Sequence, residues 1–325
     1  MSTRSEGFVL TSSPHAFSDA SVPKIMYVVV VALMPAMIGS VLFFGLRVLM
    51  LYVIGAVTCL ATEGLTRLAR RKSWKTIYDG SALLTALLLV MTLPPTISPL
   101  LVIIGSVVSI LVGKEIFGGL GMNVFNPALV GRAFLAAAYP VAITTWRQPN
   151  DVFGFLPDAA SSATPLAAAR FEGVREPLLN SFLGQIQGCI GETSTLFLLI
   201  GAVLLLAVGV IPWRQVTAYL GTVFILTGVF YLIDPVAYAP PWYHLVTGGL
   251  MMGALYMATD MVTSPYTRTG HVIFGAGAGL LVVIIRLFGG FPEGVMYSIL
   301  LMNAVTPIIN RSINTKTFGK QEAGE

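Results

Sequence analysis

The chain has 325 residues, 55% of them apolar, with 19 Lys and Arg against 15 Asp and Glu. Charged residues make up 10% of the sequence, against roughly 25% in an ordinary soluble domain, which excludes both a soluble enzyme and a disordered chain. The net charge of +4 then reads as membrane topology rather than as a nucleic-acid footprint.

Crossing about 30 Å of hydrocarbon at about 1.5 Å per residue takes about 20 apolar residues. Residues 1–24 lack the basic, apolar and small-residue layout of a cleaved signal peptide and read as a cytoplasmic segment. The first half, 25–145, holds five candidate spans near 25–44, 48–66, 80–93, 100–117 and 127–145. The third of these is short, giving roughly 21 Å of helix, and is preceded by Asp79. Between the fourth and fifth spans, Gly118-Gly-Leu-Gly121 permits unusual torsions and close backbone approach, and Asn126-Pro127 reads as the N-cap and first residue of a helix. Asn123 and Asn126 are three residues apart, so an earlier helix start would put both amides on one face.

Residues 146–193 form a polar segment with three Lys/Arg and five Asp/Glu, too long and varied to be a mere connector. Within it, Thr164 reads as an N-cap and Pro165 as the first residue of an Ala-rich helix. The same helix start would offer free N–H groups and a positive dipole end to a phosphate.

The second half, 194–310, holds five more spans near 194–211, 215–233, 245–258, 271–288 and 295–310, followed by a tail, 311–325. Its third span is also short. It shares the Met-to-Pro spacing of the first, Met91 to Pro99 and Met257 to Pro265, and Leu84 and Leu89 align on Leu250 and Leu255. Paired short spans are a pointer to a central binding site, and an odd number of spans per half requires the halves to be inverted relative to one another. Extension of each short span by Tyr78 or Met261 is the plainer alternative. Gly275-Ala-Gly277-Ala-Gly279 lies inside an apolar helix and reads as a packing surface, not a dinucleotide loop.

With the N-terminus in the cytoplasm, thirteen Lys/Arg fall on the inner side and five on the outer, with Arg132 inside a span. The positive-inside rule therefore puts both termini in the cytoplasm and 146–193 outside. Ionisable residues near the bilayer are functional candidates: Glu63, Asp79, Lys114, Glu115, Arg132, Asp260 and Arg286. Glu63 with Arg67 reads as an i,i+4 pair and Lys114 with Glu115 as a neutralised interfacial pair. Asp79 and Asp260, at the ends of the two short spans, are the ion-pathway candidates. Cys59, Cys189, His15, His244 and His271 form no metal-binding pattern, so no metal site is expected in this chain alone.

Asp158-Ala-Ala-Ser161-Ser162-Ala163-Thr164 resembles the site at which a flavin transferase esterifies FMN to a threonine. That site occurs in the D subunit of the Rnf ion-translocating ferredoxin:NAD oxidoreductase and in the related B subunit of the sodium-pumping NADH:quinone oxidoreductase. Thr11-Ser-Ser-Pro14-His15, Asp79-Gly80-Ser81-Ala82 with Pro94-Pro95, and Gly118 through Pro127 resemble the same family in the same order, and the chain length favours the Rnf D subunits. The resemblance implies covalent FMN on Thr164, with Asp158, Ser161, Ser162 and Ala163 as its recognition motif, and a buried riboflavin for which Asn123 and Asn126 are the candidate contacts. It further implies an inner-membrane, all-helical protein of about ten spans in two inverted repeats, not catalytic alone. Its partners would be Rnf subunits A, B, C, E and G, the flavin transferase and lipid, with no nucleic acid. Within such a complex, electrons pass from ferredoxin to NAD while sodium or protons cross the membrane. The competing expectation is a redox-silent channel or permease built on inverted five-span halves, as in urea transporters; a passive scaffold is a third.

Overall fold

A computed structural model describes residues 21–72, 74–146, 149, 164–290 and 293–313. The flavinylation-motif residues Asp158, Ser161, Ser162 and Ala163 lie outside the described residues, as does the Thr11 to His15 motif. The regular structure among the described residues is all helical, without a strand.

Helix α1 (Val22–Phe44) starts where the Ser21 side chain accepts the Lys24 N–H, and it ends at Gly45, whose φ of +79° reverses the chain into α2 (Leu46–Ala69). A 3-10 helix, Trp74–Asp79, and the left-handed Gly80 precede α3 (Ser81–Met91). Tyr78 therefore does not extend the short third span as α-helix. Pro99 opens α4 (Pro99–Ile110), which continues as a π-helical turn, Leu111–Glu115. The fifth span is broken: α5 (Pro127–Ala138) ends at Tyr139 and α6 (Pro140–Thr144) follows, because proline supplies no N–H to continue the ladder.

The intervening segment contributes α7 (Pro165–Ala167), continued as a π-helical turn Ala168–Glu172, and α8 (Leu178–Leu183). The second half contains α9 (Thr195–Val208), α10 (Trp213–Ile233), α11 (Pro241–Val246), α12 (Leu250–Met252) with the π-helical turn Gly253–Met257, α13 (Arg268–Phe288) and α14 (Val295–Ser312). The short third span of this half is thus interrupted at Thr247 to Gly249, while its counterpart α3 is a continuous but short helix.

Four helices, α1, α2, α10 and α13, are 21 to 24 residues long with mean hydropathy between 1.8 and 2.4, about 31–36 Å of rise, enough to cross a bilayer. On α1 the exposed residues Tyr27, Val31, Met34, Ile38 and Leu42 recur at helical spacing. An apolar stripe turned away from the core would be costly in water and is at home against lipid or another apolar chain.

Helix α1 packs on α9, α2 on α3 and α4, α4 on α5, α10 on α13, α13 on α14, and α5 on α14. The glycine run of α13 serves the packing role read from its sequence: a Cβ on Gly275 would meet the Gln215 carbonyl and Ala218, and one on Gly279 would meet Tyr219 O and Thr222, all on α10.

Candidate functional site

Polar groups gather at the two ends of α3. At its start, Glu63 and Arg67 form the expected i,i+4 pair at 2.8 Å. Lys114 does not pair with its neighbour Glu115. Adjacent residues on a helix diverge, so Lys114 Nζ reaches Glu63 Oε2 at 2.8 Å and Ser81 Oγ at 2.6 Å, while Glu115 turns to Arg67 and Arg70 at 3.8 and 3.6 Å. Ser81 in turn donates both its N–H and its hydroxyl to Asp79 Oδ1. Three acids and three bases from α2, the turn before α3 and the end of α4 therefore balance, and Glu63, Lys114 and Glu115 are each at most 1% exposed.

Beside this cluster, Ser81, Lys114, Asn123, Asn126, Tyr256 and Asp260 line a cavity of about 70 Å3. The glycine loop that leads into it behaves as its sequence implies, with φ of +124°, +107° and +92° at Gly118, Gly119 and Gly121. Asn126 is the N-cap of α5, accepting from Ala128 and Leu129 N–H, and its Nδ2 donates to Met257 O at 3.4 Å. Asn123 donates to Phe125 O, and its buried Oδ1 has no partner among the described residues. Asp260 accepts from Val262 N–H and the Thr263 hydroxyl. Asp79 and Asp260 therefore stand at the same end of the bundle, each engaged in local turn hydrogen bonds.

At the other end of α3, Thr92, Leu129, Arg132, Thr164, Glu192 and Glu293 line a much larger cavity of about 480 Å3, whose remaining wall is mostly apolar and includes Trp146, Met252 and Met257. Thr164 is buried and caps α7, its Oγ1 accepting the Ala167 N–H at 3.3 Å. The Tyr243 hydroxyl fixes the turn from below by donating to Pro165 O at 3.0 Å. Arg132 donates from α5 to Glu293 Oε2 at 3.0 Å and to Cys189 Sγ at 3.6 Å. Among the described residues the hydrogen bonds of Arg286 go to backbone acceptors, His244 O at 2.6 Å and Thr247 O at 3.2 Å. Glu192 and Glu293 complete the lining, with Cys189 packed beside them. Their ligand atoms lie within 4.8 Å of one another, and the Arg132 guanidinium beside them is ion-paired with Glu293.

Burial and the nearby Glu192 push the Glu293 carboxyl up to about 7 from its ordinary 4.5, against the opposing pull of Arg132 and Arg286. Burial, with the nearby Glu192, likewise raises the Cys189 thiol. A carboxyl raised by folding favours the folded state most when protonated. Its contribution is complete below the ordinary carboxylate range and is lost as pH rises through about 7. The unfolding temperature of the purified chain is accordingly expected to fall over that interval, and Glu293→Gln to flatten the fall; equal slopes in thermal scans of the two proteins would contradict it.

The sequence placed Thr164, Asn123, Asn126, Asp79 and Asp260 at these two ends. It held no sign of Glu192, Glu293 or Trp146, whose only local signal was an acidic residue in a turn or an aromatic at a span's end.

The chain matches the NQR2, RnfD, RnfE family over residues 9–319. It is 45% identical over 322 residues, 96% of each chain, to a Clostridium ljungdahlii protein named as the D subunit of a proton-translocating ferredoxin:NAD(+) oxidoreductase complex. It is 40% identical over 317 residues, 95% of each chain, to the D subunit of the Na(+)-translocating ferredoxin:NAD(+) oxidoreductase complex of Acetobacterium woodii. A third relative, the D subunit of an ion-translocating oxidoreductase complex of Stutzerimonas stutzeri, is 36% identical over 334 residues, 94% of each chain. The likeness to Rnf D subunits carried by the motifs thus extends along nearly the whole sequence, and the chain belongs to the NQR2, RnfD, RnfE family.

Proposed function

We propose that this chain is the D subunit of an Rnf-type complex, an electron-transfer subunit holding FMN through a phosphoester to Thr164. The observation that carries the reading is the position of Thr164 in the lining of a cavity of about 480 Å3, within the range of about 300–1,000 Å3 typical of cofactor pockets. Its wall is mostly apolar and it holds one fixed guanidinium, a surface suited to a flat ring with a few polar edges. Bound there, FMN supplies a ring that accepts and passes on one or two electrons. Thr164 anchors, Trp146, Met252 and Met257 exclude water, and Arg132 offers positive charge at the cavity floor. The cap bond from Ala167 to Thr164 Oγ1 is long, at 3.3 Å, so esterification of that oxygen would sacrifice little.

The architecture we infer is ten spans in two inverted halves, with both termini cytoplasmic and the Thr164 end outside. The helix neighbours support it. In each half the second span packs on the fourth and the fourth on the fifth, and α1–α9 and α5–α14, which join the halves, pair first span with first and fifth with fifth. The arginine-rich and lysine-rich end is then the inner one. Partner subunits would supply ferredoxin oxidation and NAD reduction, and a flavin transferase would load Thr164. A riboflavin at the Asn123 end is a separate matter. Asn123 offers an acceptor there, but about 70 Å3 does not enclose a three-ring flavin. Its binding would require the glycine loop to move or a neighbouring subunit to add a wall.

Expressed with a competent flavin transferase, the chain is expected to give a band that fluoresces under ultraviolet light on a denaturing gel, and Thr164→Val to abolish it completely. A dark wild-type band would overturn the proposal and favour a redox-silent permease.

A further inference from the structure

Glu192 and Glu293 come from segments far apart in the chain and meet at the cavity that Thr164 lines. One oxygen of each carboxyl group and Cys189 Sγ all lie within 4.8 Å of one another. Glu192, 4% exposed, accepts the Cys189 N–H at 3.2 Å, and Glu293 accepts from Arg132 at 3.0 Å. The groups facing the pair are Arg132 from α5, Cys189 from its own loop and Arg286 from α13. Arg286 has its guanidinium bonded to the carbonyls of His244 and Thr247. Among the described residues the ion pair at this site is that of Arg132 with Glu293, and two like charges this close, in a poorly screened interior, resist being ionised together.

We propose that Glu192 and Glu293 form a one-proton site linked to electron occupancy of the Thr164 cavity: an electron entering draws one proton from solvent onto the pair, and its departure releases that proton. Charge balances at each step, with one negative charge and one proton gained together, and no bond to the cofactor is made or broken. The inference rests on the reading of Thr164 as a flavin site. Its geometry is favourable because the pair and Thr164 share the cavity wall, so added negative charge acts on the carboxyls through a poorly screened interior. Burial and mutual repulsion already hold Glu293 near neutrality, up to about 7, where a small change in local charge shifts its protonation. Linkage is reciprocal, so protonation of the pair must favour reduction to the same degree.

The test is reduced-minus-oxidised infrared spectroscopy on the full chain carrying covalent flavin. Reduction is expected to produce a protonated-carboxyl band that shifts in D2O. Glu293→Gln and Glu192→Gln are each expected to lose it, because either single carboxylate left beside Arg132 is neutralised and stays ionised. The midpoint potential of the wild-type flavin should fall more steeply with pH across neutrality than that of either variant. Retention of the fluorescent band shows that a variant is folded and loaded. A wild-type spectrum without the band, or one unchanged in both variants, overturns the proton site while leaving the flavin assignment standing; a dark gel band removes the flavin assignment first.

Discussion

Glu63→Gln is expected to be the most damaging single change in the chain away from Thr164. Glu63 is fully buried and holds two cations at once, Arg67 and Lys114, each at 2.8 Å. Removing its charge leaves Lys114 with the Ser81 hydroxyl as its nearest partner and Arg67 with the more distant Glu115. Breaking a buried pair from one side costs about 3–5 kcal/mol, far more than the pair itself contributes, because the orphaned charge stays out of water. Thermal unfolding in detergent should show a drop of many degrees. The charge argument makes a second demand: Glu63→Leu combined with Lys114→Met should recover part of the loss, since Lys114 is no longer orphaned and only Arg67 is left to the more distant Glu115. A double variant as unstable as the sum of its singles would show that packing, not charge, sets the cost.

Gly201→Ala is expected to come next. Gly201 sits where α9 crosses α1, and a Cβ there would overlap the Ala32 carbonyl and the Tyr256 hydroxyl. That hydroxyl donates to Leu198 O at 2.8 Å with Ala32 O 3.4 Å away, so one tyrosine from the broken third span locks the first helices of both halves. Rigid backbone on one side leaves no flexible group to yield. Overpacking of this kind costs about 1–3 kcal/mol or more. The expected readouts are a lower melting temperature and poorer recovery of the intact complex, and unchanged melting would contradict the tightness of this crossing. Tyr256→Phe, which removes only the hydroxyl, should cost less than Gly201→Ala.

Helix placement was largely legible because a membrane helix announces itself by local composition. The proline and asparagine signals at Asn126-Pro127 and Thr164-Pro165 marked two helix starts to the residue, and the glycine loop took the positive φ values its composition implied. Where the sequence misled, the cause was distance along the chain. Lys114 and Glu115 looked like partners because they are adjacent, yet each found its counterion on α2. Arg132 looked like a lone charge in a span, but its partner Glu293 is 161 residues away. Thr164 stood out as a candidate anchor through a linear pattern. The cavity beside it is assembled from several separate segments and leaves no linear trace.

Between the two polar ends, the described interior of the bundle is nearly free of ionisable groups. The stretch Leu87 to Met91 of α3 is buried and apolar, and the turn Gly253–Met257 facing the same core adds only Tyr256. Asn126 lines one cavity and Met257 the other, and a single hydrogen bond ties them. A sodium ion or proton entering the stretch Leu87 to Met91 would lose its hydration shell without a charged group on that stretch to replace it. The two polar ends are thus held apart by the length of a short helix, roughly 16 Å from Ser81 to Thr92. In this conformation the described stretch from Leu87 to Met91 therefore behaves as a dielectric spacer between the two polar ends, and an ion crossing along it would need a different arrangement of these helices.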